Sequence, residues 1–250
     1  MDIKQTLKIV EETARAKKLS RCYIVGGTPR DKMLGLITPQ SYTDIDLTTG
    51  DEGSQILGKA VSIALGNPHY KLFSDGHSQV IIDGMKLDFS SNWNASGIDD
   101  ILKRAGIKPT PMQRELFSRD FTCDTLLMSL DLSTIYDPTG LGITDIKRKL
   151  LRTSIPVELA LGGGHHKIVR IIYLAAKLGF DVDVEIKEWL KKHPMMMSNA
   201  SDKFIAKKLK KACEFNINKV VSLLDECGLW KYIPAIPELV PYLSQDPGRI

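Results

Sequence analysis

The stretch from Cys22 to Asp46 limits what this chain can fold into more than any other. An apolar run, Cys22-Tyr23-Ile24-Val25, reads as a strand and delivers Gly26-Gly27, and Thr28-Pro29-Arg30-Asp31 has the composition of a helix start. Two glycines take backbone conformations closed to other residues, so the strand can turn directly into a helix. Thr28 suits the N-cap, Pro29 the first helical position and Asp31 the third, where its carboxylate would close a capping box. Backbone N–H groups and the positive end of a helix then point into the space beyond the strand, with Arg30 on the first turn able to reach the same place. That space suits a triphosphate, which makes Gly26, Gly27 and Arg30 candidate nucleotide-binding residues.

Asp44-Ile45-Asp46 follows closely. Residues two apart on a strand project to one face, so both carboxylates share a side while Ile45 and Leu47 turn toward the core. Mg²⁺ takes oxygen ligands, commonly one or two carboxylates together with oxygens of a bound phosphate. Asp44 and Asp46 are therefore candidate metal ligands and candidate catalytic residues. A lone Gly-Gly marks a turn and a lone Asp-x-Asp a solvated strand end; their conjunction points to phosphoryl chemistry.

Around this centre the pattern is mixed. Ile3, Leu7, Val10 and Ala14 recur at helical spacing, which predicts an amphipathic helix over residues 3–18, and a second helix is expected over 55–65. The period then shortens: runs at 71–74, 79–82 and 85–89 read as strands, the last two joined by the hairpin signal Asp83-Gly84. Asp88 interrupts the apolar pattern of the second arm and is either a third catalytic carboxylate or an exposed edge-strand acid. Residues 91–111 read as a loop with a short helix at 99–104, residues 121–130 as a helix and 134–136 as a strand. Beyond Thr153 only helical patterns occur. The expected fold is α+β, a mixed domain over residues 1–153 followed by an all-helical domain over 154–250.

Composition sets the outer limits. With 43% hydrophobic and 26% charged residues the chain has the make-up of a soluble globular protein, and its net charge of +4 is compatible with a polyanionic partner. Cys22, Cys123, Cys213 and Cys227 are scattered and form no C-x-x-C pair, so neither a zinc site nor a disulfide framework is suggested. A reduced, cytoplasmic setting follows as the expectation, and no apolar run is long enough to cross a bilayer, so no membrane partner is expected.

Taken in order, these pieces resemble one family, the nucleotidyltransferases comprising class II tRNA CCA-adding enzymes and bacterial poly(A) polymerases. Gly26-Gly27-Thr28-Pro29-Arg30-Asp31 resembles its Gly-Gly-x-x-Arg-Asp signature, and Thr43-Asp44-Ile45-Asp46-Leu47 its metal-binding strand. Ser118-Arg119-Asp120-Phe121-Thr122 is similar to its Arg-Arg-Asp-Phe-Thr block. Ile135 to Pro138 and Leu151 to Thr153 are similar to the segment that follows, and Arg170 to Phe180 to the opening helix of its neck domain. The resemblance implies a palm-like head and a helical neck, with Mg²⁺ held by Asp44 and Asp46 and Asp88 as third acid. It also implies that Gly27, Arg30 and Arg119 hold the nucleotide's phosphates and sugar.

Relatives carry a Glu-Asp-x-x-Arg motif whose Asp and Arg read the incoming base. The aligned stretch here is Gly163-Gly164-His165-His166-Lys167, which sets Gly164 and Lys167 at those two positions, with Arg170 in its usual place. Ser118 replaces the first arginine of its block, and Asp124 stands where asparagine is usual. The implied reaction is attack by the 3′-hydroxyl of an RNA, a tRNA above all, on the α-phosphate of a nucleoside triphosphate, with altered base selection. Two alternatives are transfer to a non-RNA acceptor and a catalytically silent nucleotide- or RNA-binding module. Lys203, Lys207, Lys208, Lys210 and Lys211 crowd one predicted helix and form either a polyanion contact or an ordinary solvated face.

Overall fold

A computed structural model of the chain describes residues 2–38, 42–66, 69–162 and 164–243. They form two compact units, Met1–Ile146 and Lys147–Ile250. Among the described residues no helix is long and apolar enough to cross a membrane.

The first unit is built on a seven-stranded sheet of order β3-β4-β5-β2-β1-β6-β7. In chain order its elements are α1 (Ile3–Ala16), β1 (Tyr23–Val25), α2 (Gly27–Met33), β2 (Asp44–Thr48), α3 (Gly53–Ala64), β3 (Tyr70–Leu72), β4 (Ser78–Ile82), β5 (Met85–Phe89), α4 (Ile98–Arg104), α5 (Pro111–Phe117), β6 (Leu127–Met128), β7 (Ile135–Tyr136) and α6 (Gly142–Lys147). All neighbouring strands are antiparallel except β2 and β5, which run parallel. A capping box starts α1: Asp2 accepts from the Gln5 N–H at 2.8 Å, and Gln5 Oε1 accepts from the Asp2 N–H at 3.3 Å. Asp83 and Gly84, with φ of 49° and 78°, make the left-handed two-residue turn that joins β4 to β5.

The pleat divides the sheet by face. Ile24, Ile45, Leu47, Val80, Leu87 and Phe89 are all buried with Leu7 and Val10 of α1 and Leu57 and Val61 of α3 in one apolar cluster. The intervening residues turn the other way: Val25 joins a second, smaller cluster with Leu116 and Leu127, and Asp44, Asp46, Lys86 and Asp88 share that side. One face therefore carries the main core and the other the charge.

Two expectations for this unit need correction. The helix read over 121–130 is absent; Thr122–Asp124 form a single 3₁₀ turn and the chain then enters β6. Phe121, Cys123, Leu126, Leu127 and Met128 are all buried, as are Thr122, Asp124 and Thr125 between them, and a stretch enclosed on every side has no amphipathic period to separate strand from helix. The helix that does form, α5, starts where the loop was expected to end. Thr110 accepts from the Gln113 N–H and Gln113 Oε1 from the Thr110 N–H, with Pro111 at the first helical position.

The second unit contains β8 (Leu150–Leu151), α7 (Val157–Leu161), α8 (His165–Leu178), β9 (Asp181–Val182), α9 (Val184–Lys192), α10 (Asp202–Glu226) and α11 (Val240–Leu243). It is helical apart from the parallel pair β8–β9, which is too short to leave a pattern in the sequence. That pairing draws residues 150–151 into this unit, so its start lies ahead of the composition change at Thr153. Ser201 caps α10 by accepting from the Phe204 N–H, and Asn216, with φ −160° and ψ 90°, kinks the helix.

Helix α3 meets the sheet through Gly58. A Cβ there would collide with Ser78 Oγ and lie 3.0 Å from the ring of Phe89. Overpacking of this kind costs about 1–3 kcal/mol, against the roughly 0.5–1 kcal/mol that alanine gains over glycine inside a helix. Gly58→Ala should therefore lower the unfolding free energy by about 1 kcal/mol or more, and adding Ser78→Gly should recover part of the loss. Thermal and urea unfolding followed by circular dichroism measure both.

Candidate active site

The turn after β1 is where the backbone is most constrained. Gly26 has φ 78° and ψ −135°, and a Cβ on it would lie 2.6 Å from Asp46 Oδ2 and 3.0 Å from the Arg119 guanidinium. Glycine is thus required twice, by conformation and by the approach of these two side chains. Helix α2 begins at Gly27, earlier than expected, with Gly26 at its N-cap and no side chain capping it. Thr28 and Pro29 are the second and third helical residues, so the expected capping box does not form.

Asp31 instead pairs with its neighbour. Arg30 is only 4% exposed, its Nε donates to Asp31 Oδ1 at 2.7 Å, and its guanidinium also donates to Asp124. Burial alone would lower its pKa, but the Asp124 and Asp31 carboxylates more than offset this and hold it above the ordinary arginine value. A Cβ on Gly27 would lie 3.0 Å from this guanidinium. Arg30, expected to reach outward to phosphate, commits its charge to two carboxylates and braces the glycine turn from inside.

The acids come together through strand register. In the parallel pairing of β2 with β5, Asp46 stands opposite Asp88 and Asp44 opposite Lys86. Lys86 Nζ lies 2.9 Å from Asp44 Oδ1 and 3.3 Å from Asp88 Oδ2, and Gln79 of β4 donates to Asp88 Oδ1 at 2.7 Å. Arg119 sits 4.0 Å from Asp46 Oδ2 and 3.1 Å from Oε1 of Glu115, which also accepts from Ser90 Oγ at 2.7 Å. Glu115 itself is entirely buried.

Asp46 is the group on which these charges converge. Its carboxyl pKa is raised, first because surrounding protein withholds solvent and then because Asp88, Asp44 and Asp124 repel its charge; Arg119 opposes the rise. Half of the side chain still faces a recess of about 240 Å³, lined by Asp46, Asp88, Asp75, His77, Ser90 and Arg119. A larger recess of about 410 Å³, lined by Leu19, Ile56, Trp93 and Arg114, holds none of these acids. Among the described residues no three His, Cys, Asp or Glu side chains lie close enough to hold a metal ion by themselves. Asp44 is drawn aside to Lys86 rather than in toward Asp46.

The remaining candidates lie in the second unit. Gly164 is the N-cap of α8, and Lys167 is its third residue, with the Lys167 N–H donating to the Gly164 carbonyl at 2.8 Å. Arg170 lies farther along the same helix, close enough to Lys208 of α10 to help lower the pKa of that lysine, though burial contributes more. Gly163 lies outside the described residues. Lys86, Gln79, Ser90 and Glu115 had not been anticipated. The spacing of Glu115 four residues before Arg119 would have linked them had α5 been expected.

A glycine turn beside carboxylates on adjacent parallel strands defines a nucleotidyltransferase head. The chain belongs to the family of the poly A polymerase head domain, which matches residues 22–152. It is 25% identical over 219 residues to the CCA-adding enzyme of Geobacillus sp., covering 86% of this chain and 51% of that protein. It is 29% identical over 179 residues to the A-adding tRNA nucleotidyltransferase of Aquifex aeolicus, covering 68% and 20% respectively. Its fold is similar to that of a tRNA nucleotidyltransferase solved with a primer tRNA and an incoming ATP analogue. The TM-score is 0.69 at 24% identity, over 94% of this chain and 66% of that one. The chain spans about half the length of curated CCA-adding relatives that it matches.

The raised carboxyl of Asp46 carries a testable sign. An acid whose folded-state pKa exceeds its unfolded value costs stability when ionised, so the penalty is present at neutral pH and absent below the ordinary value of 3.8. Asp46→Asn should therefore be more stable than wild type at pH 7 in chelator, with the difference shrinking as the pH falls through the folded pKa and gone below 3.8. Denaturant unfolding from pH 3 to pH 8 checks the sign.

Proposed function

We propose that this protein is a metal-dependent nucleotidyltransferase that adds nucleotides from a nucleoside triphosphate to the 3′ end of an RNA, tRNA being the acceptor class most in keeping with its relatives. The observation that carries this reading is the pairing of Asp46 with Asp88 beside the Gly26 turn and Arg119. The carboxylates suit Mg²⁺: they are hard oxygen donors, and the mutual repulsion felt at Asp46 is what a cation relieves. Asp44 and Asp46, with Asp88, would hold it alongside phosphate oxygens of the nucleotide. Bound there, Mg²⁺ would neutralise phosphate charge and make the attacking hydroxyl more acidic.

This chain's own residues do the rest. Gly26 presents no side chain, so Asp46 and Arg119 can close together over the turn where the phosphates would lie. Arg119, fixed by Glu115, offers a planar donor to the charge that builds on the phosphates. Arg30 acts indirectly by holding the turn in place.

Base choice is where this chain departs from its relatives. Gly164 offers no side-chain acceptor, and Lys167 is a point-charge donor without the fork of arginine. A templating pair discriminates because a wrong base leaves buried partners unmatched, at roughly 1–3 kcal/mol for each unmatched group. Without that pair the enzyme should discriminate weakly among triphosphates or rely on backbone groups and the RNA. Incubation with Mg²⁺, all four triphosphates and a tRNA lacking its 3′ end, followed by sequencing of the ends, tests the activity and its selectivity together. Mixed additions are expected, and Gly164→Asp with Lys167→Arg should narrow them. The change is sterically mild, because the atoms nearest a Cβ at Gly164 belong to the flexible Lys167 side chain. No addition in any condition would refute the activity; ordered C-C-A from the wild type would refute altered selection.

The exposed lysines of α10, Lys203, Lys207, Lys210 and Lys211, suit a phosphate backbone. Lys208 differs: its ammonium lies 4.9 Å from the Tyr173 ring centre and is partly covered. If the four exposed lysines grip RNA, replacing them with glutamine should weaken binding and flatten the dependence of log K on log salt by about one unit for each phosphate no longer neutralised. A salt titration by fluorescence anisotropy measures the slope, and an unchanged slope would leave these lysines as a solvated face.

A further inference from the structure

The recess that holds Asp46 and Asp88 has a second wall that the proposed chemistry does not use, the turn between β3 and β4. Two backbone hydrogen bonds close this turn, Phe73 N–H donating to the His77 carbonyl at 2.9 Å and Gly76 N–H to the Phe73 carbonyl at 3.0 Å. The side chains are nonetheless held further. His77 Nδ1 lies 2.5 Å from Asp75 Oδ1, and its ring stacks on Phe73 with centres 3.9 Å apart and planes 11° from parallel. Lys71 of β3 also lies against Phe73, its ammonium 4.3 Å from the ring centre. Asp75 Oδ1 also accepts the His77 backbone N–H at 3.2 Å, so one carboxylate ties the turn and the ring together, the Phe73 stack fixes the ring plane, and both His77 and Asp75 line the acidic recess.

The carboxylate of Asp75 can only accept, so Nδ1 of the neutral ring carries the proton and Nε2 keeps its lone pair. An acceptor at this place wants a hydroxyl or amine donor. The sheet order decides where that donor comes from. Along β4-β5-β2-β1 the turn bearing His77 comes first, then Asp88, then Asp46, then the Gly26 turn with Arg119. Phosphoryl transfer places the attacking and leaving oxygens on opposite sides of phosphorus. With the triphosphate at the Gly26 and Arg119 flank, the attacking hydroxyl arrives from the flank of Asp88 and His77.

We propose that His77, oriented by Asp75 and Phe73, binds the 3′-terminal ribose of the acceptor RNA, its Nε2 accepting a hydrogen bond from the 2′-hydroxyl. This rests on the function proposed above. The 3′-hydroxyl is committed to the reaction, and its vicinal neighbour is the next donor on the same sugar. It is also the group by which a protein tells RNA from DNA. His77 would then help make the enzyme selective for a ribose end, with Asp75 as a positioning residue that fixes the tautomer.

The test compares wild type, His77→Ala and His77→Gln on two acceptors, a truncated tRNA ending in cytidine and the same tRNA ending in 2′-deoxycytidine. Both steady-state transfer and equilibrium binding of the acceptor are measured. Loss of one hydrogen bond corresponds to about a fivefold effect. The wild type should bind and use the ribose end about fivefold better than the deoxyribose end, and His77→Ala should abolish that preference by losing only on the ribose end. His77→Gln, which restores an acceptor near Nε2, should recover part of it. The KM for the triphosphate should not change in either variant. An equal loss on both acceptors, or a loss that instead follows substitution of a 2′-deoxy triphosphate, would overturn the assignment while leaving the proposed activity standing. A wild type that neither extends nor binds either tRNA would overturn both.

Discussion

The parallel pairing of β2 with β5 is the constraint from which the rest of the first unit follows. It lays Asp46 beside Asp88 and Asp44 beside Lys86, on a face whose opposite side is the main apolar core. Like charges so placed repel, and the surroundings answer with cations held at graded distance. Lys86 bridges Asp44 and Asp88 closely, whereas Arg119 stands farther from Asp46 because Glu115 holds it back. The least compensated acid is consequently the one in the middle, nearest the glycine turn. Burial on the other face of the sheet supplies the stability against which this electrostatic cost is borne.

Arginines that look alike in sequence divide into two kinds. Arg119 faces the recess and is tethered, while Arg30 is withdrawn and neutralised by Asp31 and Asp124. A buried guanidinium with two carboxylates fixes the direction of the chain around it, and here that chain is the Gly26-Gly27 turn. Asp124 matters beyond this brace, since its charge also reaches Asp46. The Asp124 carboxylate therefore ties the inner brace to Asp46.

Much of this was legible in the sequence where local chemistry decides structure. Alternation in Asp44–Leu47 and Met85–Phe89, the Asp83-Gly84 turn and the stripe of Leu7, Val10 and Ala14 all report directly on faces and turns. Legibility fails where distant partners decide. Nothing near Arg30 says that it will turn inward, because Asp124 lies 94 residues along the chain. The run from Phe121 to Met128 is buried throughout, Thr122, Asp124 and Thr125 included, and so has no amphipathic period to read, and β9 exists only because Leu150 and Leu151 come alongside it. The capping signal of α5, by contrast, was present in Thr110-Pro111-Met112-Gln113 and was masked by the glycine- and proline-rich composition ahead of it.

Gly26 shows how little of an active site need consist of side chains. The space that its missing Cβ would fill is occupied by Asp46 Oδ2 and the Arg119 guanidinium, so two groups from distant parts of the chain meet in a volume that belongs to a third. The core of Ile24, Ile45 and Leu47 lies on the opposite face and would be untouched by a methyl group there. A single added carbon would thus strain the backbone of this turn and push its carboxylate and its guanidinium apart, while the main core keeps its own contacts on the other face. Within this turn the missing side chain is itself a structural part, since it lets the chain bend and lets two distant groups come together at one residue.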